Sequence, residues 1–227
     1  MTLVFPKYRF VINRSNEPEP EPEPQDEVIV VGSIDENGNL ATNDSTATLL
    51  FGTPKPLQNF TLKASFDYFR YGSTAYYLVC QVLLDKQMKH SDDTAPQYEI
   101  NFAVTNLKLG FYVGTGAYND GYDYNPNLGG NYQYSPCEYT MNVNFSEYST
   151  DTSYYELAQP TGQVRIKQGN NDYTQPTTYS KIGKTNIIPK DAKILGFKLQ
   201  NFGYERLRTN VNNSYLEINS VKYYAKP

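Results

Sequence analysis

Phe60-Thr61-Leu62-Lys63-Ala64-Ser65-Phe66-Asp67-Tyr68-Phe69-Arg70-Tyr71 is the stretch that decides the fold class. Phe60, Leu62, Ala64, Phe66 and Tyr68 fall on one face, and Thr61, Lys63, Ser65 and Asp67 on the other. That is the period-two alternation of a strand with one face buried. Working outward, Gly72-Ser73 turns the chain, and residues 75–84 are apolar on both faces, as a central strand is. Residues 97–113 carry Tyr98, Ile100, Phe102 and Val104 in register, then Leu107, Leu109, Phe111 and Val113. Residues 138–145 alternate Tyr139, Met141, Val143 and Phe145. Further strands are expected at 154–157, 163–168, 179–182, 192–202 and 215–225.

Upstream, Val28-Ile29-Val30-Val31 leads through Asp35-Glu36-Asn37-Gly38-Asn39 into residues 40–51. Asn-Gly between two β-prone runs signals a hairpin, because a type I′ turn needs φ > 0 at both central residues. Gly52-Thr53-Pro54-Lys55-Pro56 is expected to close that unit. No stretch longer than about ten residues fits the helical period better than the strand period. Many short strands with turn residues between them imply a sandwich or barrel. The expected fold is all-β: an antiparallel, jelly-roll-like β-sandwich over 27–227, preceded by an extended N-terminal arm and a Pro-rich spacer.

The spacer, residues 16–26, contains Glu17-Pro18-Glu19-Pro20-Glu21-Pro22-Glu23-Pro24. Each proline fixes its own φ and biases the preceding glutamate towards extended backbone. The result is a charged polyproline-type rod, roughly 25 Å long at about 3.1 Å per residue, with nothing to bury. It separates the body from an arm, residues 1–15, whose Leu3, Val4, Phe5, Tyr8, Phe10 and Ile12 read as an extended apolar segment. Such an edge, held away from its own core, invites strand addition to another chain. Folding back as an edge strand of the body is the competing reading.

Composition narrows the function classes. The 227 residues carry 20 basic and 24 acidic side chains, net charge −4, with the basic ones dispersed, so no nucleic-acid footprint is present. No run approaches the roughly 18 apolar residues of a membrane span. No apolar h-region follows Lys7, Arg9 and Arg14, so no signal peptide is expected. Cys80, inside an apolar run, is expected to be a buried free thiol. A Cys80–Cys137 disulfide is the alternative. Tyrosine is over-represented, with 22 Tyr and 11 Phe but no Trp.

Five of the tyrosines, Tyr118, Tyr122, Tyr124, Tyr132 and Tyr134, lie among Gly and Asn in residues 114–136. They read equally as a binding loop, since Tyr gives large contact area at low entropy cost, or as rings folded back onto the sandwich margin. Asn119-Asp120-Gly121-Tyr122-Asp123-Tyr124-Asn125 offers oxygen ligands but lacks EF-hand spacing, so an Asx-rich turn is expected and no metal or cofactor is assigned. His90, the lone histidine, sits in a polar stretch with Ser91, Asp92 and Asp93 and is expected to be an exposed loop residue, not part of a triad. Asp67, Glu99, Glu138 and Glu147 are the acids a glycosidase pair could use. Sequence does not place any two of them face to face, and no catalytic residue is assigned. Sequons at Asn13, Asn43, Asn59, Asn144 and Asn212 carry little weight without a signal peptide.

Ile188-Pro189-Lys190-Asp191-Ala192-Lys193-Ile194-Leu195-Gly196-Phe197, followed by Tyr215-Leu216-Glu217-Ile218-Asn219-Ser220-Val221-Lys222-Tyr223-Tyr224, resembles the two closing strands of galactose-binding-like, carbohydrate-binding jelly rolls. Asn219 and Ser220 stand where that family has an acidic pair, so the resemblance implies no metal there. The layout of arm, spacer and Tyr/Asn/Gly-rich β body resembles bacteriophage virion accessory proteins such as head fibres, capsid decorations and tail-fibre subunits. That resemblance implies a structural protein on the virion surface, docked on a capsid or tail protein through its arm. It leaves room for a homotrimer and for a host surface glycan as partners. The alternative is a glycan-binding module or adhesin without catalytic activity.

Overall fold

The computed structural model describes residues 24–227 except 71–75, 92–96, 106–110, 115–120, 125–132, 135–136, 169, 178, 183 and 202–206. In chain order the strands begin with β1 (Glu27–Val31), β2 (Thr46–Pro56), β3 (Phe60–Arg70), β4 (Tyr76–His90) and β5 (Gln97–Thr105). Next come β6 (Phe111–Gly114), β7 (Gly121–Tyr124), β8 (Gln133–Tyr134), β9 (Cys137–Val143) and β10 (Phe145–Glu147). They are followed by β11 (Tyr154–Leu157), β12 (Thr161–Gln168), β13 (Asn171–Thr177), β14 (Tyr179–Ile182) and β15 (Asn186–Pro189). The last are β16 (Lys193–Gln200), β17 (Leu207–Thr209), β18 (Tyr215–Ile218) and β19 (Val221–Tyr223).

These strands form an antiparallel β-sandwich. The first sheet runs β1-β2-β16-β4-β5-β6-β7-β14, with β15, β11 and β10 continuing from the far end of β4. The second runs β13-β12-β9-β3-β18-β19, with β17 and β8 also pairing with β3. One core lies between them, because alternation on every principal strand sends its apolar set to the same side. Leu49, Val82, Ile100, Phe102 and Phe197 come from the first sheet, and Phe60, Leu62, Phe66, Tyr139 and Met141 from the second. Phe60 meets Phe102 across the gap with ring centroids 6.3 Å apart, and Phe51 meets Tyr223 at 4.8 Å, both edge-to-face.

The strand expected at 60–71 is β3, with Phe60, Leu62, Ala64 and Phe66 buried as the alternation requires. Elsewhere the structure corrects the expectation. Residues 52–56 continue β2 instead of closing it, pairing Lys55 with Ile194 and Pro56 with Lys193. Prolines are tolerated there because β1 accompanies β2 only from Thr46 to Leu50, so this part of β2 has no β1 partner. Asn37-Gly38 does sit at a turn, closed by the Ile34–Leu40 bridge, but the β1–β2 ladder starts only at Val31 and Thr46. Residues 215–225 are a hairpin, with Asn219 (φ 51°) and Ser220 (φ 64°) forming its two-residue turn. Residues 114–136 are not one loop, since β7 pairs with β6 and β14, and β8 pairs with β3.

His90 is 1% exposed, not a surface loop residue. β4 runs on to His90, where β15 joins it with Asn186 opposite. Both cysteines are buried and free. Near the start of the described chain, Asp26 Oδ1 accepts the Gly52 N–H at 3.0 Å, and a Cβ on Gly52 would stand 2.2 Å from the Pro24 carbonyl oxygen. The last spacer residues therefore lie against β2.

Candidate functional site

β4 is the element that builds a cleft. Its first half is a central strand between β16 and β5, with a one-residue register shift against β5 between Leu78 and Cys80. Further on, Leu83 pairs with Glu99 while Met88 pairs with Gln97. Four residues of β4, 84–87, thus stand where β5 has only Tyr98. The surplus is a bulge, which bends a strand and re-aims its side chains. Beyond it β4 turns to β15, pairing Lys89 with Ile187. The bend opens a cleft of about 490 Å³. Asp85, Lys86, Gln87 and Lys89 line it from β4, and Tyr98 closes one side. Tyr154 and Pro189, from β11 and β15, close the other.

The cleft residues are fixed from behind. The Lys193 N–H donates to Asp85 Oδ1 at 2.6 Å. The Lys86 ammonium pairs with Asp191, and its hydrogen bond lowers the Asp191 carboxyl below the usual value. Lys89 Nζ lies 5.4 Å from the centroid of the Tyr154 ring, within cation–π range. Tyr98 is 49% exposed, so the cleft offers an open ring beside charged and amide groups. Such a surface can stack an apolar C–H face while Asp85 accepts, and Lys86, Gln87 and Lys89 donate, hydrogen bonds at its rim.

Sequence reasoning missed this site, though a signal was there. Leu84, Met88 and His90 are buried and share one parity with Lys86, while Asp85 and Gln87 are exposed. Period two therefore persists through the stretch read as a polar connection.

The other candidates fall differently. Tyr118 and Tyr132 lie outside the described residues, as do Leu3, Val4, Phe5, Tyr8, Phe10 and Ile12 of the arm. Tyr122 and Tyr124 are on β7 in the first sheet and Tyr134 is on β8 in the second, with their side chains outside the described set. Of the Asx-rich stretch, Asp123 stands on β7 opposite Tyr112 and Ser180. Asp67 and Glu138 belong to the second sheet and Glu99 and Glu147 to the first. Lys63 holds Glu138 at 2.8 Å, with Arg165 at 3.9 Å, and Glu147 pairs with Lys190. Burial raises the Cys80 and Cys137 thiols above their ordinary pKa, which suppresses the reactive thiolate.

No family model matches the chain, and no curated protein matches it. Among solved structures it is similar to the Lotus tetragonolobus seed lectin, at 13% identity over 89% of this chain and 95% of that one, TM-score 0.35. It is also similar to the peanut lectin solved with a 9mer peptide, at 12% identity over 88% and 96%, TM-score 0.37. A third is the Emp46p carbohydrate recognition domain in its metal-free form, at 13% identity over 78% and 88%, TM-score 0.28.

Proposed function

We propose that this chain is a non-catalytic glycan-binding module whose ligand sits in the Tyr98–Tyr154 cleft. The observation that carries the reading is the pairing of two tyrosines with Asp85, Lys86, Gln87 and Lys89 around one bulged strand. A pyranose has an apolar C–H face and a rim of hydroxyls that both donate and accept. The cleft presents the complementary surfaces, and its volume falls within the roughly 300–1,000 Å³ of small-ligand sites. The tyrosines of residues 114–136 remain a proposed extension of the contact surface.

A glycan array probed with the full chain, followed by titration of the best ligand, tests this. Tyr98→Ala and Tyr154→Ala should each weaken binding about tenfold, the effect of removing one stacked ring, about 1.4 kcal/mol. Absence of any glycan ligand, or unchanged affinity in both variants, overturns the reading.

Display on a virion surface is a second reading. What motivates it is the layout of the sequence alone, an apolar arm, a Glu-Pro spacer and a β body, in which the arm would dock on a capsid or tail protein. Deleting residues 1–15 should abolish co-purification with virions while leaving the melting temperature unchanged. Retained co-purification counts against it, and native mass reports whether a homotrimer forms.

A further inference from the structure

The second sheet carries a cleft of its own, of about 260 Å³, at the end where β3 begins and the β18–β19 turn lies. Alternation explains its walls. Phe60, Leu62, Met141, Val143, Leu216 and Ile218 point into the core, so Thr61, Asn142 and Glu217 share the outer face. Register places them in one row across three strands, Asn142 opposite Thr61 and Thr61 opposite Glu217. The row is pre-organised: Thr61 Oγ1 donates to Asn142 Oδ1 at 2.8 Å, and Asn142 Nδ2 donates to Thr161 Oγ1 at 3.4 Å. Beside the row, just before β3, Asn59 Oδ1 accepts the Phe145 N–H at 2.9 Å, which fixes that amide and leaves its Nδ2 to donate. Asn144, Asn219 and Ser220 complete the rim.

We infer that this cleft is a second binding site, for an uncharged saccharide. The lining chooses the ligand class. Among the described residues no lysine or arginine lines it. Lys222, which stands opposite Glu217 on β19, balances that carboxylate outside the lining, so the cleft itself offers an anion no cation. A single carboxylate is too little charge for a bound divalent cation. Phe60 is only 4% exposed, so an apolar ligand has little surface to cover. What remains is a rim of amide N–H donors, hydroxyls and one carboxylate acceptor, which matches vicinal hydroxyls that each donate and accept. Successive strands stand about 4.8 Å apart, close to the length of one sugar ring, so the Asn142–Thr61–Glu217 row suits a chain lying across them. This site shares a ligand class with the Tyr98–Tyr154 cleft, but it stands on separate residues in the other sheet.

The turn supplies a variant that separates binding from folding. Ser220 holds a left-handed φ of 64°, where glycine is unstrained. Ser220→Gly should therefore raise the melting temperature while weakening binding here. The test uses the full chain with ¹⁵N-labelled side-chain amides, titrated with maltohexaose, cellohexaose and mannohexaose, with oligogalacturonate as the anionic control. A neutral hexaose should shift the amide signals of Asn59, Asn142, Asn144 and Asn219. Glu217→Gln and Ser220→Gly should each lose about three- to tenfold in affinity at those signals, the effect of one hydrogen bond. Shifts from none of the neutral probes, shifts from oligogalacturonate alone, or wild-type affinity in both variants overturn the inference. Because Gln87 reports the first cleft separately, loss of one site is distinguishable from loss of the other.

Discussion

The Asp35 carboxylate accepts the backbone N–H of Asn39 at 2.8 Å through Oδ1, and the same oxygen accepts the Asn37 N–H at 2.9 Å. It thereby holds the Asn37–Gly38 turn from inside. The turn is in turn pinned to a distant loop, with Asn210 Nδ2 donating to the Asn37 carbonyl and to Asn39 Oδ1, both at 3.0 Å. Burial tends to raise the Asp35 pKa, but the hydrogen bonds from Asn39 and Asn37, helped by the Arg208 charge, outweigh it and leave it lowered.

That lowering has a pH signature. A carboxyl lowered in the folded state contributes stability that is fully present above its unfolded pKa of about 3.9 and lost as pH falls through the folded value. Asp35→Ala should therefore cost about 1 kcal/mol at pH 7, as loss of a capping side chain does. The gap from wild type should narrow as pH falls below the unfolded value of about 3.9. Urea melts of both proteins from pH 7 to pH 3 measure this, and a gap constant across the range contradicts it.

Gly196 lies in the bulge between β16 and β2 with φ 154°, and a Cβ there would sit 1.9 Å from the Leu49 carbonyl oxygen. Backbone is the obstacle, so no side chain can move aside. Gly196→Ala should destabilise by about 3 kcal/mol or more, among the largest single-residue effects. Chemical denaturation reads it directly.

Phe60 is packed between Phe102 of the opposite sheet and Phe145, centroids 6.3 and 6.1 Å away. Phe60→Ala should cost about 3–5 kcal/mol, the usual range for a buried aromatic. A loss under 1 kcal/mol in thermal or urea melts would show that the sheets do not depend on this contact.

Both thiols are fully buried and free. Neither should react with Ellman's reagent in the native protein over minutes, and both should react once the chain is unfolded. Rapid native labelling at either position would contradict the burial described above.

Legibility in the sequence followed the range of the interactions. β3 could be read from alternation alone, since its pattern is complete within a few residues, and β11 and β14 lie where strands were expected at 154–157 and 179–182. The Asn37–Gly38 turn was legible, but not its context. Leu40 N–H bonds the Thr209 carbonyl and Val211 N–H bonds the Gly38 carbonyl, contacts closed by residues far along the chain. His90 was misread for the same reason, because its burial depends on Asn186 arriving opposite it. The cleft tyrosines were visible as strand residues, Tyr98 in the β5 register and Tyr154 opening β11. Only the bulge between Leu83 and Met88 of β4, which leaves no mark in hydrophobic periodicity, brings them to one cleft.

The bulge also separates two kinds of heritable change. Residues in a regular ladder are constrained by partners on both sides, and a one-residue slip there inverts every side chain that follows. Asp85, Lys86 and Gln87 stand in the surplus length, outside the β4–β5 register. Asp85 and Lys86 still tie the chain entering β16 through Lys193 and Asp191, so on the proposed glycan-binding reading Gln87 is the position where a substitution would retune recognition while the sheet keeps its alignment.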